Sequence, residues 1–280
     1  MKSDELTKTM RTAFLTAYPK IFTNIEYASD IFAKSIQLSS EHGFFFKPSL
    51  FVVDMAVEIE ARYKALSSLL SERITDDCVV IDLASGLSPR RIAFEDVNYY
   101  ESDLPPIVKI KKQVYNELNF SKFIAGVLSV DLADIDSFNC FLDSIPCIQK
   151  YKKIIFLSEG LFWYLKRNHV QQMINCVKNK FSKVGFEWIT ADCPVQHYVD
   201  IPYRNKIADS SDKSPVEPFS DYNDYYHFFT SNDFDILRYK LIEYISPEDI
   251  FSGKVLSITK SEIITRMNSY TDLAVIKRMS

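Results

Sequence analysis

Two carboxylates set 21 residues apart, with a small-residue turn after the first, are the part of this chain best placed to do chemistry. Residues Val79 to Arg90 read Val-Val-Ile-Asp-Leu-Ala-Ser-Gly-Leu-Ser-Pro-Arg. An apolar, β-branched run meets Asp82 and then turns through Ala84, Ser85 and Gly86. Strand, acidic residue, tight turn and helix is how an open α/β sheet makes a nucleotide-sized crevice. The second carboxylate, Asp103, lies in Glu101-Ser-Asp-Leu-Pro105. Its distance from Asp82 fits one βαβ step that ends in a group able to accept hydrogen bonds from ribose hydroxyls. Asp103 or Glu101 could instead cap the helix that Pro105 begins.

The turn narrows the choice of ribose-bearing group. Ala84 stands where a Gly-x-Gly-x-x-Gly turn has its first glycine, and no third glycine follows. A pyrophosphate needs several bare backbone amides at a helix N-terminus, so NAD and FAD suit this turn poorly. The Gly-Lys-Ser/Thr of a P-loop is missing as well. A nucleoside without phosphate, S-adenosylmethionine, suits it better.

The surrounding pattern supplies elements to hold such a turn. Residues 4 to 72 read as mostly helical, with a helix-like apolar pattern from Pro48 to Leu70. From residue 77 onward strands and helices alternate. Strands are expected at Cys78–Asp82, Val97–Ser102, Phe123–Val130, Lys153–Glu159 and Gly185–Asp192, with helices at Pro105–Asn119 and Asn168–Lys180. This alternation implies a mostly parallel sheet with both faces covered. Residues 193 to 230 are rich in proline and aromatic residues, and read either as a substrate lid or as an irregular packed connection. Phe234 to Tyr244 looks helical, and Leu273 to Met279 reads as a last strand.

Bulk properties set further bounds. With 280 residues and 47% apolar content, the chain can bury a substantial core. A formal net charge of −4 argues against a nucleic-acid partner. The basic runs at Lys109, Lys111 and Lys112 and at Lys150, Lys152 and Lys153 read as solvated flanks. The five cysteines form no Cys-x-x-Cys pair and the histidines no cluster, so neither a structural metal nor a disulfide framework is expected. No signal-peptide pattern and no apolar run of membrane length is present, and a cytoplasmic protein without a membrane partner is expected.

Several segments, in order, resemble the leucine carboxyl methyltransferase family and its bacterial small-molecule relatives of polyketide type. They are Thr12-Ala13 with Lys20; Asp30-Ile-Phe-Ala33; Arg62 in Glu-Ala-Arg-Tyr; Asp82 to Arg90; Glu101 to Pro105 with Lys111; Asp131-Leu132; and Ser158-Glu-Gly-Leu-Phe-Trp-Tyr-Leu165. The resemblance spans residues 10 to 170 and implies a Rossmann-like class I methyltransferase, a seven-stranded, mostly parallel α/β sheet with helices on both faces. It implies one domain over 1–280, with an N-terminal helical cap (1–75), a cofactor-binding core (76–192), a lid insertion (193–250) and C-terminal strands (251–280).

It also implies roles. Arg62, with Lys20, would take the methionine carboxylate of S-adenosylmethionine, a match of guanidinium fork and carboxylate; the alternative for Arg62 is a surface helix arginine. Asp82, Ala84 and Gly86 would form the turn beside the methionyl part. Asp103, with Leu104 beside it, would hold the ribose, Glu101 being the second choice. Asp131 and Leu132 would meet the adenine. Glu159 would bind the amino group or sulfonium region, and Tyr164 would face the methyl donor or acceptor; Glu159 and Tyr164 are thus the candidate catalytic residues. Tyr164 and Trp163 could equally be packing residues.

The expected reaction is O-methylation of a small-molecule carboxylate or hydroxyl. A carboxylate is already ionised near neutrality and needs no base, whereas a phenol benefits from one. With no histidine in a recognisable motif, carboxyl methylation is slightly favoured. A protein C-terminal carboxyl methyltransferase and a non-catalytic binding protein of the same fold remain the alternatives, and the oligomeric state is open.

Overall fold

The computed structural model describes residues 11–41, 43–47, 53–146, 148–195, 218–269 and 271–278. Pro48, Cys147, His197 and residues 196–217 of the expected lid lie outside them. The N-terminal layer holds α1 (residues 11–17), α2 (Ala28–Glu41) and α3 (Ala56–Arg73). The alternating part then runs β1 (Cys78–Leu83), α4 (Arg90–Ala93), β2 (Tyr99–Asp103), α5 (Pro105–Glu117), β3 (Val127–Ser129), α6 (Ile135–Ser144), β4 (Lys153–Ser158), α7 (Arg167–Lys180) and β5 (Gly185–Pro194). The chain closes with α8 (Tyr222–Thr230), β6 (Phe234–Tyr239), α9 (Phe251–Val255), α10 (Lys260–Met267) and β7 (Thr271–Arg278).

The strands form one seven-stranded sheet in the order β3-β2-β1-β4-β5-β7-β6. All neighbours are parallel except those of β7, which runs antiparallel to β5 and to β6. Strand residues alternate between two cores, as the period of two requires. Val79, Ile81, Ile154, Phe156, Trp188 and Ile276 join α6, α7 and α8 on one face. Val80, Ile155, Leu157, Ile189 and Val275 join α3 and α10 on the other. A third cluster packs α1 and α2 on α5 through Phe14, Ile31, Leu38, Ile110 and Val114. Every residue of β1 is buried, as expected for a central parallel strand covered on both faces.

Three sequence expectations need correction. Phe234–Tyr239 is a strand rather than a helix, pairing with β7 at Ile236↔Ile276; the open edge of β7 decides its conformation over any local helical preference. The expected strand at Phe123–Val130 shrinks to Val127–Ser129, because Ser121–Gly126 is a 3₁₀ helix that turns Phe123 into the helical layer. Lys111 is no solvated flank: it is 1% exposed and paired with Glu101.

In the region expected as a lid, Phe219, Tyr225, Phe228 and Phe229 are buried, with Phe219 edge-on to Phe162 and Phe229 tilted against it. Among the described residues no helix is long and apolar enough to cross a membrane.

Candidate functional site

The strand order reverses at β1, with β2 on one side and β4 on the other. In open α/β sheets the crevice outside the carboxyl ends of the strands at such a point takes the ligand. Here it is a cavity of about 290 Å³ whose wall includes Lys20, Arg62, Asp82, Ala84, Gly86, Asp103, Leu104, Asp131, Leu132, Glu159 and Tyr164. Every candidate site residue from the sequence except the second-choice Glu101 therefore lines one space. Sheet order arranges them: Asp131 follows β3, Asp103 ends β2, Ala84 and Gly86 follow β1, and Glu159 follows β4.

The turn after β1 is tied down by its own hydrogen bonds. Ser85 N–H donates to the Ser102 carbonyl at 2.9 Å, Ser88 N–H to the Ser85 carbonyl at 3.0 Å and Arg90 N–H to Ser88 Oγ at 3.4 Å. Gly86 N–H donates to Asp103 Oδ2 at 2.7 Å, while Leu104 N–H donates to Asp103 Oδ1 at 2.7 Å. Asp103 thus braces the two loops it sits between and still lines the cavity. Burial raises its pKa and the two N–H groups oppose that rise. The helix α5 begins at Leu104 without a side-chain cap, so capping is not the function of Asp103.

Glu101 has a different fate. It is fully buried, paired with Lys111 Nζ at 2.5 Å and accepting from Tyr115 Oη at 2.8 Å, and it is not among the cavity's lining residues. Lys111 also donates to Ser85 Oγ at 3.1 Å. This buried cluster supports the turn from behind.

Around Glu159 three cations gather. Arg90 Nη2 donates to Glu159 Oε2 at 2.7 Å and Arg62 Nε lies 3.8 Å from Oε1. Burial works to raise the pKa of Glu159, but Lys20, Arg90 and Arg62 outweigh it and hold the group below the usual carboxylate range. Burial lowers the Lys20 ammonium to about 8, against the pull of Glu159. Arg62 is turned inward on α3 rather than lying at the surface, and its buried Nε makes no hydrogen bond to the described residues. Burial raises Asp82 to about 6, although Arg90 and the Tyr99 hydroxyl at 2.7 Å favour its ionised form. Tyr164, raised by burial to about 12, stays a neutral phenol.

Arg90 was missed as a site residue, although it closes the motif that begins at Asp82. It is 1% exposed, lies 4.5 Å from the Tyr63 ring centroid, and links β1, β4 and α3 through Asp82, Glu159 and Ser67. Its place at the end of a turn motif was the available signal. Glu58, Arg266 and Thr271 also line the cavity and carry no motif.

Comparison with protein families matches residues 33–178, just over half of the chain, to the leucine carboxyl methyltransferase model. The chain belongs to the leucine carboxyl methyltransferase family. A search of curated proteins by sequence finds no match. Among solved structures, a Thermobifida fusca protein provisionally described as a methyltransferase is similar over 97% of this chain and 94% of its own, with 11% identity and a TM-score of 0.53. A structure of PigF with SAH is similar over 90% of this chain and 68% of its own, with 12% identity and a TM-score of 0.46. The first of these likenesses agrees with the class I methyltransferase fold. Within the leucine carboxyl methyltransferase match, β1 to α7 carry the turn, Asp103, Asp131 and Glu159, whereas Lys20 lies ahead of it.

Proposed function

We propose that the cavity binds S-adenosylmethionine and that this family member transfers the methyl group to an oxygen of a small-molecule acceptor, a carboxylate or a hydroxyl, by in-line displacement. The observation that carries this reading is the order of groups along one cavity: Asp131 and Leu132, then Asp103 and Gly86, then Glu159 with Arg62 and Lys20. That order matches adenine, ribose and a zwitterionic methionyl end.

The residues fit the group chemically. Each oxygen of Asp103 accepts one backbone N–H, and a carboxylate oxygen has lone-pair capacity for a ribose hydroxyl besides. Leu104 and Leu132 offer apolar surface to the adenine, and Asp131 an acceptor for its amino group. Arg62 brings a buried Nε without a hydrogen bond, suited to a carboxylate. Glu159, kept ionised by its cations, suits an ammonium and is poorly suited to act as a base. The backbone N–H groups of Ser85, Gly86, Ser88 and Arg90 already have acceptors within the protein, which disfavours a pyrophosphate.

When bound, the cofactor supplies a methyl carbon on a sulfonium, which leaves as a neutral thioether. The protein's part is alignment and exclusion of water. Tyr164, a neutral phenol on the cavity wall, positions the reacting groups by hydrogen bonding rather than by taking a proton.

Calorimetric titration tests the reading. S-adenosylmethionine and S-adenosylhomocysteine are expected to bind and NAD is not; absence of binding by both sulfur nucleosides would overturn it. Asp103→Ala should weaken S-adenosylhomocysteine binding by about tenfold or more, from the loss of charge-assisted hydrogen bonds. Glu101→Gln should weaken it much less and instead lower stability, by leaving Lys111 buried without its counter-charge. The reverse order of the two effects on affinity would refute the ribose assignment.

A further inference from the structure

The cavity wall includes residues to which the cofactor reading gives no role. Because β7 is antiparallel, its first residue, Thr271, lies beside Pro194 at the end of β5, on the same edge of the sheet as the carboxyl ends of the parallel strands. Beyond Glu159 the wall therefore passes to Thr271, to Arg266 of α10, and to Glu58, which lies four residues ahead of Arg62 on the same face of α3. Met55, Trp163 and Leu241 supply apolar surface.

Glu58 is 9% exposed, both carboxylate oxygens are buried, and neither accepts a hydrogen bond from another described residue. Its nearest opposite charge is Arg266 Nη1, at 3.7 Å, beyond hydrogen-bond reach. The Arg266 guanidinium is committed elsewhere: Nε and Nη2 donate to Glu262 Oε1 at 3.2 and 2.6 Å, and Nη1 to the Asp54 carbonyl at 2.6 Å. Thr271 Oγ1, in a residue 2% exposed, also makes no hydrogen bond. A buried polar group that takes no hydrogen bond from a neighbour costs folding free energy; Glu58 lies in the first turn of α3, where its own backbone N–H favours the ionised form. Glu58 thus shares the Arg266 guanidinium with Glu262 and receives no hydrogen bond from it. Burial pushes Glu58 up to about 7, even with Arg266 and Arg62 favouring its ionised form.

We propose that Glu58, with Thr271 in the same arm, anchors a hydrogen-bond-donating group of the methyl acceptor, a hydroxyl or an ammonium, and that this position rejects a carboxylate. The inference rests on the cavity being the site of transfer, and it concerns the group that anchors the acceptor rather than the oxygen that is methylated. Glu58 is thereby a specificity-determining residue.

The test uses protein saturated with S-adenosylhomocysteine and three probes of one skeleton: benzylamine, benzyl alcohol and benzoate. Calorimetry should show the amine and the alcohol binding about tenfold or more tightly than benzoate, the scale of one hydrogen bond to a charged group. Glu58→Gln should remove the preference for benzylamine while changing the S-adenosylhomocysteine affinity far less. Benzoate binding as well as the others, a preference that survives Glu58→Gln, or no binding by any of the three would overturn the proposal. If Glu58→Gln does not fold, the order of the three probes on the unaltered protein decides the matter, with Thr271→Val expected to weaken the alcohol. Failure of S-adenosylhomocysteine itself to bind would overturn the cofactor reading, and this one with it.

Discussion

Ala84 has a φ of +54°, in the left-handed region where a Cβ costs about 1–2 kcal/mol. Gly86, two residues on, has a φ of +53° and incurs no such cost. The turn needs both conformations to bring Gly86 N–H onto Asp103. Ala84→Gly should therefore raise stability by up to about 1 kcal/mol, the relieved strain being partly offset by the greater freedom of glycine in the unfolded chain; denaturant midpoints would show it, and an unchanged or lower midpoint would contradict it. The sequence marked Ala84 as the irregular member of its motif, since a glycine pattern is visible in residue types. It could not separate Asp103 from Glu101, because both are acidic and lie at the end of one strand. They share one face of β2, two residues apart, and position along the strand separates them: Glu101 lies within the sheet, buried against Lys111, while Asp103 stands at the carboxyl end, on the cavity wall.

At the scale of elements, the segment after β4 depends on a residue of the neighbouring strand. Asp192 of β5 accepts N–H bonds from Gly160 at 2.5 Å, Leu161 at 3.0 Å and Phe162 at 3.2 Å. One buried carboxylate thus holds the 3₁₀ turn Phe162–Tyr164 that carries Tyr164, next to Glu159. Asp192→Asn keeps one oxygen and places an amide against the remaining N–H groups. The expected cost is about 1–3 kcal/mol of stability, together with weaker S-adenosylhomocysteine binding as Glu159 and Tyr164 shift. Denaturant unfolding and calorimetry measure the two losses, and wild-type values in both would remove Asp192 from the positioning of the site. Nothing in the local pattern predicted this brace, because the partners are 30 to 32 residues apart. The same limit explains β6: the run Phe-Asp-Ile-Leu-Arg-Tyr becomes a strand through pairing with β7. The central parallel strands were legible because each is a short apolar run bounded by turn residues.

Over the whole molecule, buried acids should shape the dependence of stability on pH. Burial raises Glu58 from 4.5 to about 7 and Asp82 from 3.8 to about 6. Between the ordinary and the raised values the folded chain holds more protons than the unfolded one, so stability falls as pH rises. The contribution is complete below about pH 4 and is lost by about pH 7, a window set by those two groups. The groups that face Glu58, namely Arg266, Arg62 and Asp54, are part of that value. Melting temperatures of the unliganded protein should decline from pH 5 to 7, and Glu58→Gln should flatten the decline; an equal slope in the variant would show that Glu58 titrates normally. The sheet and its cofactor crevice could be read from the sequence because they rest on local runs and a recurring motif. The acceptor arm could not, because Glu58, Arg266 and Thr271 meet only through the antiparallel return of β7.

The turn after β1 has one more consequence, in a mixed pool of metabolites. Adenosine is common to many abundant compounds, most of them carrying phosphate, and in the roles proposed for them Asp103 and Leu132 alone would not tell these apart. The amides of Ser85, Gly86, Ser88 and Arg90 are already bonded within the protein, so a phosphate received by any of these four must first break that bond. In the proposed site the turn itself would then discriminate by its few uncommitted amides rather than by a steric wall. The site can then remain open to its own ligand while abundant nucleotides pass it by.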